Sequence, residues 1–168
     1  VYANRVWHPL FGRGIVSTTD NFGHTGQAPS NQSLLDHLAI SLIEDGWSTK
    51  KLIRRIVLSR VYQLGSTSVS SIQDEFDLEN KLFWRQNRRR LEAESIRDSM
   101  MMVANQLDFR MGGVTIKSGA KIDINYQYAG AQRSVYVPVI RTKQNGFLEA
   151  FDFPDPNLVA GKRSSTSV

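Results

Sequence analysis

The chain has 168 residues, 40% of them apolar and 22% charged, with a formal net charge of +5; that length suits one domain whose core can bury roughly 70% of the unfolded surface. No apolar run approaches the ~18 residues of a membrane span. The absence of cysteine excludes disulfides, thiolate metal ligands, a cysteine nucleophile and C-x-x-C-H haem attachment within the chain, while the charge excess favours acidic partners only generically.

In chain order, Val1-Tyr-Ala-Asn-Arg-Val-Trp-His-Pro-Leu-Phe reads as a helix already under way, with Val1, Val6, Leu10 and Phe11 apolar. Val1 is not a start methionine, and Gly161-Lys-Arg-Ser-Ser-Thr-Ser-Val ends in a polar tract. Residues 1–168 are therefore expected to be a single domain cut from a larger multidomain protein. Ser30, after Pro29, is placed to cap a helix with Leu34, Leu35, Leu38, Ala39, Leu42 and Ile43 at helical spacing, ending at Gly46. Ser48 is placed to cap the next helix, where Leu52, Ile53, Ile56, Val57 and Val61 form a second stripe and Gly46-Trp47-Ser48 closes a helical hairpin.

Residues 65–73 read as an internal polar loop. A short helix is expected from Asp77 through Trp84, and another from about Leu91 to Leu107, with Ala93, Ile96, Met100, Val103, Ala104 and Leu107 on one face. After Gly112-Gly113 the pattern shortens. Val114–Lys117 and Ile122–Tyr126 are β-like runs, and Ser134-Val-Tyr-Val-Pro-Val-Ile-Arg is the best strand candidate, held to an edge by Pro138. The expected class is mainly α with a small β element: a helical hairpin, further helices and short strands in the second half.

Chemistry concentrates in Trp84-Arg-Gln-Asn-Arg-Arg-Arg-Leu-Glu-Ala-Glu. On a helix, Arg88–Glu92 and Arg90–Glu94 would be i,i+4 pairs and Glu94–Arg97 an i,i+3 pair. Arg85, Arg88, Arg89 and Arg90, with Arg133, are either a structural network or a site for an anionic ligand, because the planar guanidinium matches carboxylate, sulfate and phosphate alike. Glu149, Asp152, Asp155, Asp20 and Asp36 are the candidate internal partners. Glu149-Ala-Phe-Asp-Phe-Pro-Asp-Pro-Asn offers hard oxygen ligands at Asp152 and Asp155, but without EF-hand spacing, and reads first as a proline-fixed turn; no metal is assigned.

His8, His24 and His37 lack zinc-site spacing, and His37 lies off its helix's apolar stripe. His24, in Asp20-Asn-Phe-Gly-His-Thr-Gly, is the one candidate worth retaining, against the alternative of a turn whose polar side chains bond nearby backbone. Phe11-Gly-Arg-Gly-Ile-Val-Ser lacks the third glycine of a dinucleotide fingerprint and the Walker lysine, and reads as a turn. The basic face Lys50, Lys51, Arg54 and Arg55 has only Trp47 as a stacking aromatic, so nucleic-acid binding is the least favoured reading.

Asn4-Arg-Val-Trp-His, Phe11-Gly-Arg-Gly-Ile-Val, Asp20-Asn-Phe-Gly-His-Thr-Gly, Gly46-Trp-Ser, the arginine string, Arg133-Ser-Val-Tyr and Phe151-Asp-Phe-Pro-Asp-Pro-Asn together resemble domain of unknown function 1553, the planctomycete-type, cytochrome-c-associated family. The resemblance covers nearly the whole chain in order. It implies an extracytoplasmic setting, in the periplasm or at the cell surface, toward the C-terminal end of a large exported protein in which a c-type haem belongs to another module. It supplies no catalytic residues. The expected function is a noncatalytic binding or scaffolding module that packs against other domains of its parent, with an arginine-rich surface for an anionic polysaccharide. The alternative is an enzyme domain acting on polysaccharide, hydrolytic or redox-linked, through His24, Arg89 and Asp152.

Overall fold

A computed structural model describes residues 1–67, 75–113, 116, 126, 128 and 130–158. Two compact units divide the chain, Val1–Arg89 and Arg90–Val168. In the first, α1 (Tyr2–Phe11), α2 (Gln32–Glu44) and α3 (Thr49–Val57) pack pairwise. In the second, α4 (Ala93–Val103) packs against a 3-10 turn (Ser134–Tyr136) and the short α5 (Gly146–Ala150).

The core of the first unit is built where the three helices meet. Trp7 stacks on Phe11 with ring centroids 4.0 Å apart, and Phe83 and Tyr62 approach edge-on. Leu38, Leu42, Leu52 and Ile56 surround them. The helical hairpin forms as the sequence implies: Gly46 donates its N–H to Ile43 O and Trp47 to Leu42 O, a Schellman closure, and Ser48 Oγ accepts from Lys51 N. The cap of α2 is Asn31 rather than Ser30. Its Oδ1 accepts from Leu34 N at 2.9 Å, while Ser30 N–H is spent on Ile15 O. Ala39, Ile43 and Ile53, placed in the expected stripes, are exposed; each hairpin helix buries a narrower seam than its apolar spacing offers.

Residues 77–84 do not form the expected helix. Both oxygens of Asp77 accept backbone N–H groups, from Lys81 and Leu82 at 2.8 Å each. Asn80 and Phe83 then take left-handed conformations, φ +52 and +56, that a helix cannot contain. Asn80 is completely buried, and its amide donates to Arg85 O and Asn87 Oδ1. The result is a hydrogen-bonded loop that delivers Phe83 to the core. Asn4 performs the matching task from within α1: completely buried, it donates to Val16 O at 3.0 Å and accepts from Val16 N at 2.9 Å. A Cβ on Gly14 would press into that amide, so glycine is what lets the chain pass so close.

The short strands expected in the second half are not found. Among the described residues there is no sheet, only an isolated parallel bridge between Asp108 and Gln132. Val114–Lys117 and Ile122–Tyr126 lie largely outside the described residues. Ser134–Arg141 fails as a strand for a clear reason: Tyr136 and Val137 donate their N–H groups back to Arg133 O and Ser134 O, and Pro138 has none to give. The helix α4 is shorter than its apolar spacing, and Met100 and Val103, placed on the inward face, are exposed. No helix among the described residues is long and apolar enough to cross a membrane.

Candidate functional site

The arginine string is not helical, because α4 begins only at Ala93, so the i,i+4 spacings carry no helical pairing. What residues 84–89 do instead is close the C-terminus of α1. The last four carbonyls of an α-helix lack intrahelical donors, and here each finds one. Gly12, left-handed at φ +74, donates to His8 O at 2.8 Å. Arg89 Nη1 donates to Pro9 O, Gln86 Nε2 to Leu10 O at 3.4 Å, and Asn87 Nδ2 to Phe11 O at 2.9 Å. A guanidinium at this end also meets the negative pole of the helix dipole. The stem of Arg89 crosses Gly12, where a Cβ would stand 2.7 Å from its Cδ.

The other arginines are dispersed. Arg85 lies over the Trp84 ring, 5.1 Å from its centroid, and reaches Leu78 O. Arg88 and Arg90 are exposed. Arg133, in the second unit, faces the Tyr136 ring at 5.7 Å and its Nε is buried without an acceptor among the described residues. For Arg85 and Arg89 the partners on view are carbonyls and an aromatic face rather than the anticipated carboxylates; Asp36 instead accepts from Gln32. Arg89 is itself exposed, so Arg89→Ala should lower the stability of the first unit by about 0.5–1.5 kcal/mol, the net range for a single hydrogen bond. Trp7, Trp47 and Trp84 all belong to that unit, so a urea titration followed by tryptophan fluorescence checks it, and an unchanged midpoint would refute the capping role.

His24, Arg89 and Asp152 are divided between the units, the first two in one and Asp152 in the other. His24 is exposed in a loop whose bonds are local: Thr18 Oγ1 donates to Asn21 O, and Asn21 Nδ2 donates to Thr25 Oγ1. Asp152 is exposed at φ +56, and Asp155 accepts from the backbone and side-chain nitrogens of Asn157. This is turn chemistry of the expected kind. No group of three His, Asp or Glu side chains converges among the described residues.

Two arrangements lie outside the site residues that motif and spacing singled out. In the second unit, Arg97 donates through Nη1 to Gln132 O and Ser134 Oγ, both at 3.1 Å, and through Nη2 to Gly130 O at 2.6 Å. Asp98 accepts from Ser134 N at 2.8 Å and Ser134 Oγ at 2.7 Å. These adjacent charges clasp the 130–134 segment onto α4; the signal available was that Arg97 follows Ala93 by four residues and so shares its buried face. Asp108 also lies in this unit, with its carboxyl held below the usual range by hydrogen bonds from the Arg110 side chain and backbone.

The second arrangement is a cavity of about 360 Å³ in the first unit. Its apolar lining includes Trp7, Leu34, Leu38, Ile56 and Phe83, and its polar residues are Asn31, His37, Arg55, Ser59 and Lys81. Trp7 is buried, and its indole N–H has no acceptor among the described residues. Arg55 reaches Asp45 at 3.0 Å and Lys81 reaches Glu79 at 3.2 Å. Hydrogen bonds from Lys81, and then from Arg13, hold the Glu79 carboxyl below its ordinary range. His37 lies off the apolar stripe as expected, yet it lines this cavity.

No curated protein and no solved structure matches the chain. The family model described as protein of unknown function (DUF1553), PSD1, matches residues 1–168. With the whole of its length matched, the chain belongs to the DUF1553 family.

Proposed function

We propose that the chain is a noncatalytic binding module whose site is the cavity of the first unit rather than the arginine string. One observation carries this reading: a cavity of about 360 Å³ with a largely apolar lining and a few polar side chains, within the ~300–1,000 Å³ of small-molecule pockets. Among the described residues its lining holds no carboxylate, and the hydroxyl there, Ser59 Oγ, donates to Ile56 O at 2.6 Å, so the described lining presents no acid–base pair or activated nucleophile. Guanidinium groups already bonded to α1 carbonyls and an aromatic face support an architectural role for Arg85 and Arg89. The family resemblance supports placing this module outside the cytoplasm, beside the other domains of a larger parent that carries any haem.

Isothermal titration of the 168-residue chain with octanoate, 1-octanol and octylammonium tests the reading. At least one should bind saturably, and Leu82→Trp, at an exposed residue lining the cavity, should weaken that binding at least about tenfold through steric filling worth ~1.4 kcal/mol. Absence of saturable binding by all three would overturn it.

A further inference from the structure

Resting on the reading of the cavity as a binding site, we infer that its ligand is an amphipathic monoanion: an aliphatic or aromatic body carrying one carboxylate. The body follows from the walls, because the side chains of Trp7, Leu34, Leu38, Ile56 and Phe83 in the lining are predominantly apolar. The head follows from hydrogen-bonding capacity. Asn31 Oδ1 is already taken by Leu34 N, which leaves its amino group to give. Ser59 has committed its proton to Ile56 O and keeps only lone pairs that accept, so it gives an anion nothing. Arg55 and Lys81 can only donate, and neither exhausts its donors on one carboxylate. A ligand head that supplies acceptors therefore meets the Asn31 amino group, Arg55 and Lys81, whereas one that supplies only donors meets the remaining lone pairs of Ser59 Oγ and Asn31 Oδ1 beside two fixed cations.

Charge points the same way. Asp45 is shared between Arg55 at 3.0 Å and Lys51 at 4.0 Å. Glu79 is shared between Lys81 and Arg13, both at 3.2 Å. Asp45 meets two cations, so its cluster keeps one positive charge in excess, while at Glu79 the Asp77 carboxylate bonded to Lys81 N offsets the second cation, which places the surplus positive charge on the Arg55 side. These pairs are solvent-exposed and individually weak, so Arg55 and Lys81 can turn part of their donor sets to a ligand without a large loss. His37, on the same rim, adds a further possible donor.

The same three ligands decide the matter. Octanoate should bind at least about tenfold more tightly than 1-octanol, the ratio expected when a charge-assisted hydrogen bond replaces a neutral one, and octylammonium should bind most weakly. Lys81→Gln and Arg55→Gln should each bring octanoate toward the affinity of 1-octanol while leaving 1-octanol unchanged, a split that a general loss of structure would not produce. Equal affinity for octanoate and 1-octanol, or preference for octylammonium, overturns the anion assignment and leaves the binding-module reading standing. If none of the three binds, both fall together.

Discussion

Trp7→Ala is expected to destabilise the first unit by about 3–5 kcal/mol, while Trp7→Phe should cost less than ~1.5 kcal/mol. The asymmetry follows from what the indole does. Its ring stacks on Phe11 and receives Phe83 edge-on, so truncation to alanine deletes the centre of an aromatic cluster and enlarges an existing cavity whose walls are already unsupported. Its N–H, by contrast, is buried without an acceptor among the described residues, and phenylalanine removes that donor along with the extra ring. Urea midpoints read from the remaining fluorescence of Trp47 and Trp84 compare the two variants. Losses of equal size would mean that the N–H has a partner or that the stacking contributes little.

Asp98→Ala should cost the second unit about 1–3 kcal/mol, because it leaves the Ser134 N–H and hydroxyl without their acceptor, while Arg97 keeps its bonds to Gly130 O and Gln132 O. Arg97 has a side-chain exposure of 12%, and Ser134 depends on Asp98 for both its N–H and its hydroxyl. Asp98→Asn keeps one acceptor and should lose less. The readout is hydrogen exchange at the Ser134 amide, which should accelerate strongly in Asp98→Ala and modestly in Asp98→Asn. Wild-type protection in the alanine variant would show that the turn holds itself in place.

The hairpin of α2 and α3 was legible because every device that makes it is local: a serine cap, a glycine closure and apolar residues three and four apart. The same reasoning placed Ala39, Ile43 and Ile53 in the core wrongly, since spacing identifies a face but not how much of it a neighbouring helix covers. Residues 84–89 were recognisable as the most distinctive stretch, yet their role was not. Reading it required knowing that the end of α1, more than seventy residues earlier, would present unfilled carbonyls at that spot. Ser134–Arg141 misled in the opposite direction. Alternating β-branched and aromatic residues favour a strand only where a second strand offers a ladder, and here Asp98 captures the first amide instead. The cavity was the least legible feature, because His37, Arg55 and Lys81 come from three separate segments and none is unusual by itself.

The closure of α1 bears on how the chain acquires its structure during synthesis. Gln86 and Asn87 each act across 76 residues and Arg89 across 80, so the helix that emerges first is completed by a segment that emerges last in its unit. At ribosomal rates of ~5–20 residues per second, the open end of α1 waits roughly 4–15 s for its donors. Bringing the two together then carries the loop-closure cost of a long connection, which slows folding far more than it lowers final stability. A nascent chain halted before Trp84 would thus hold three helices with one frayed terminus, and the distinctive arginine string would be the piece whose arrival locks them.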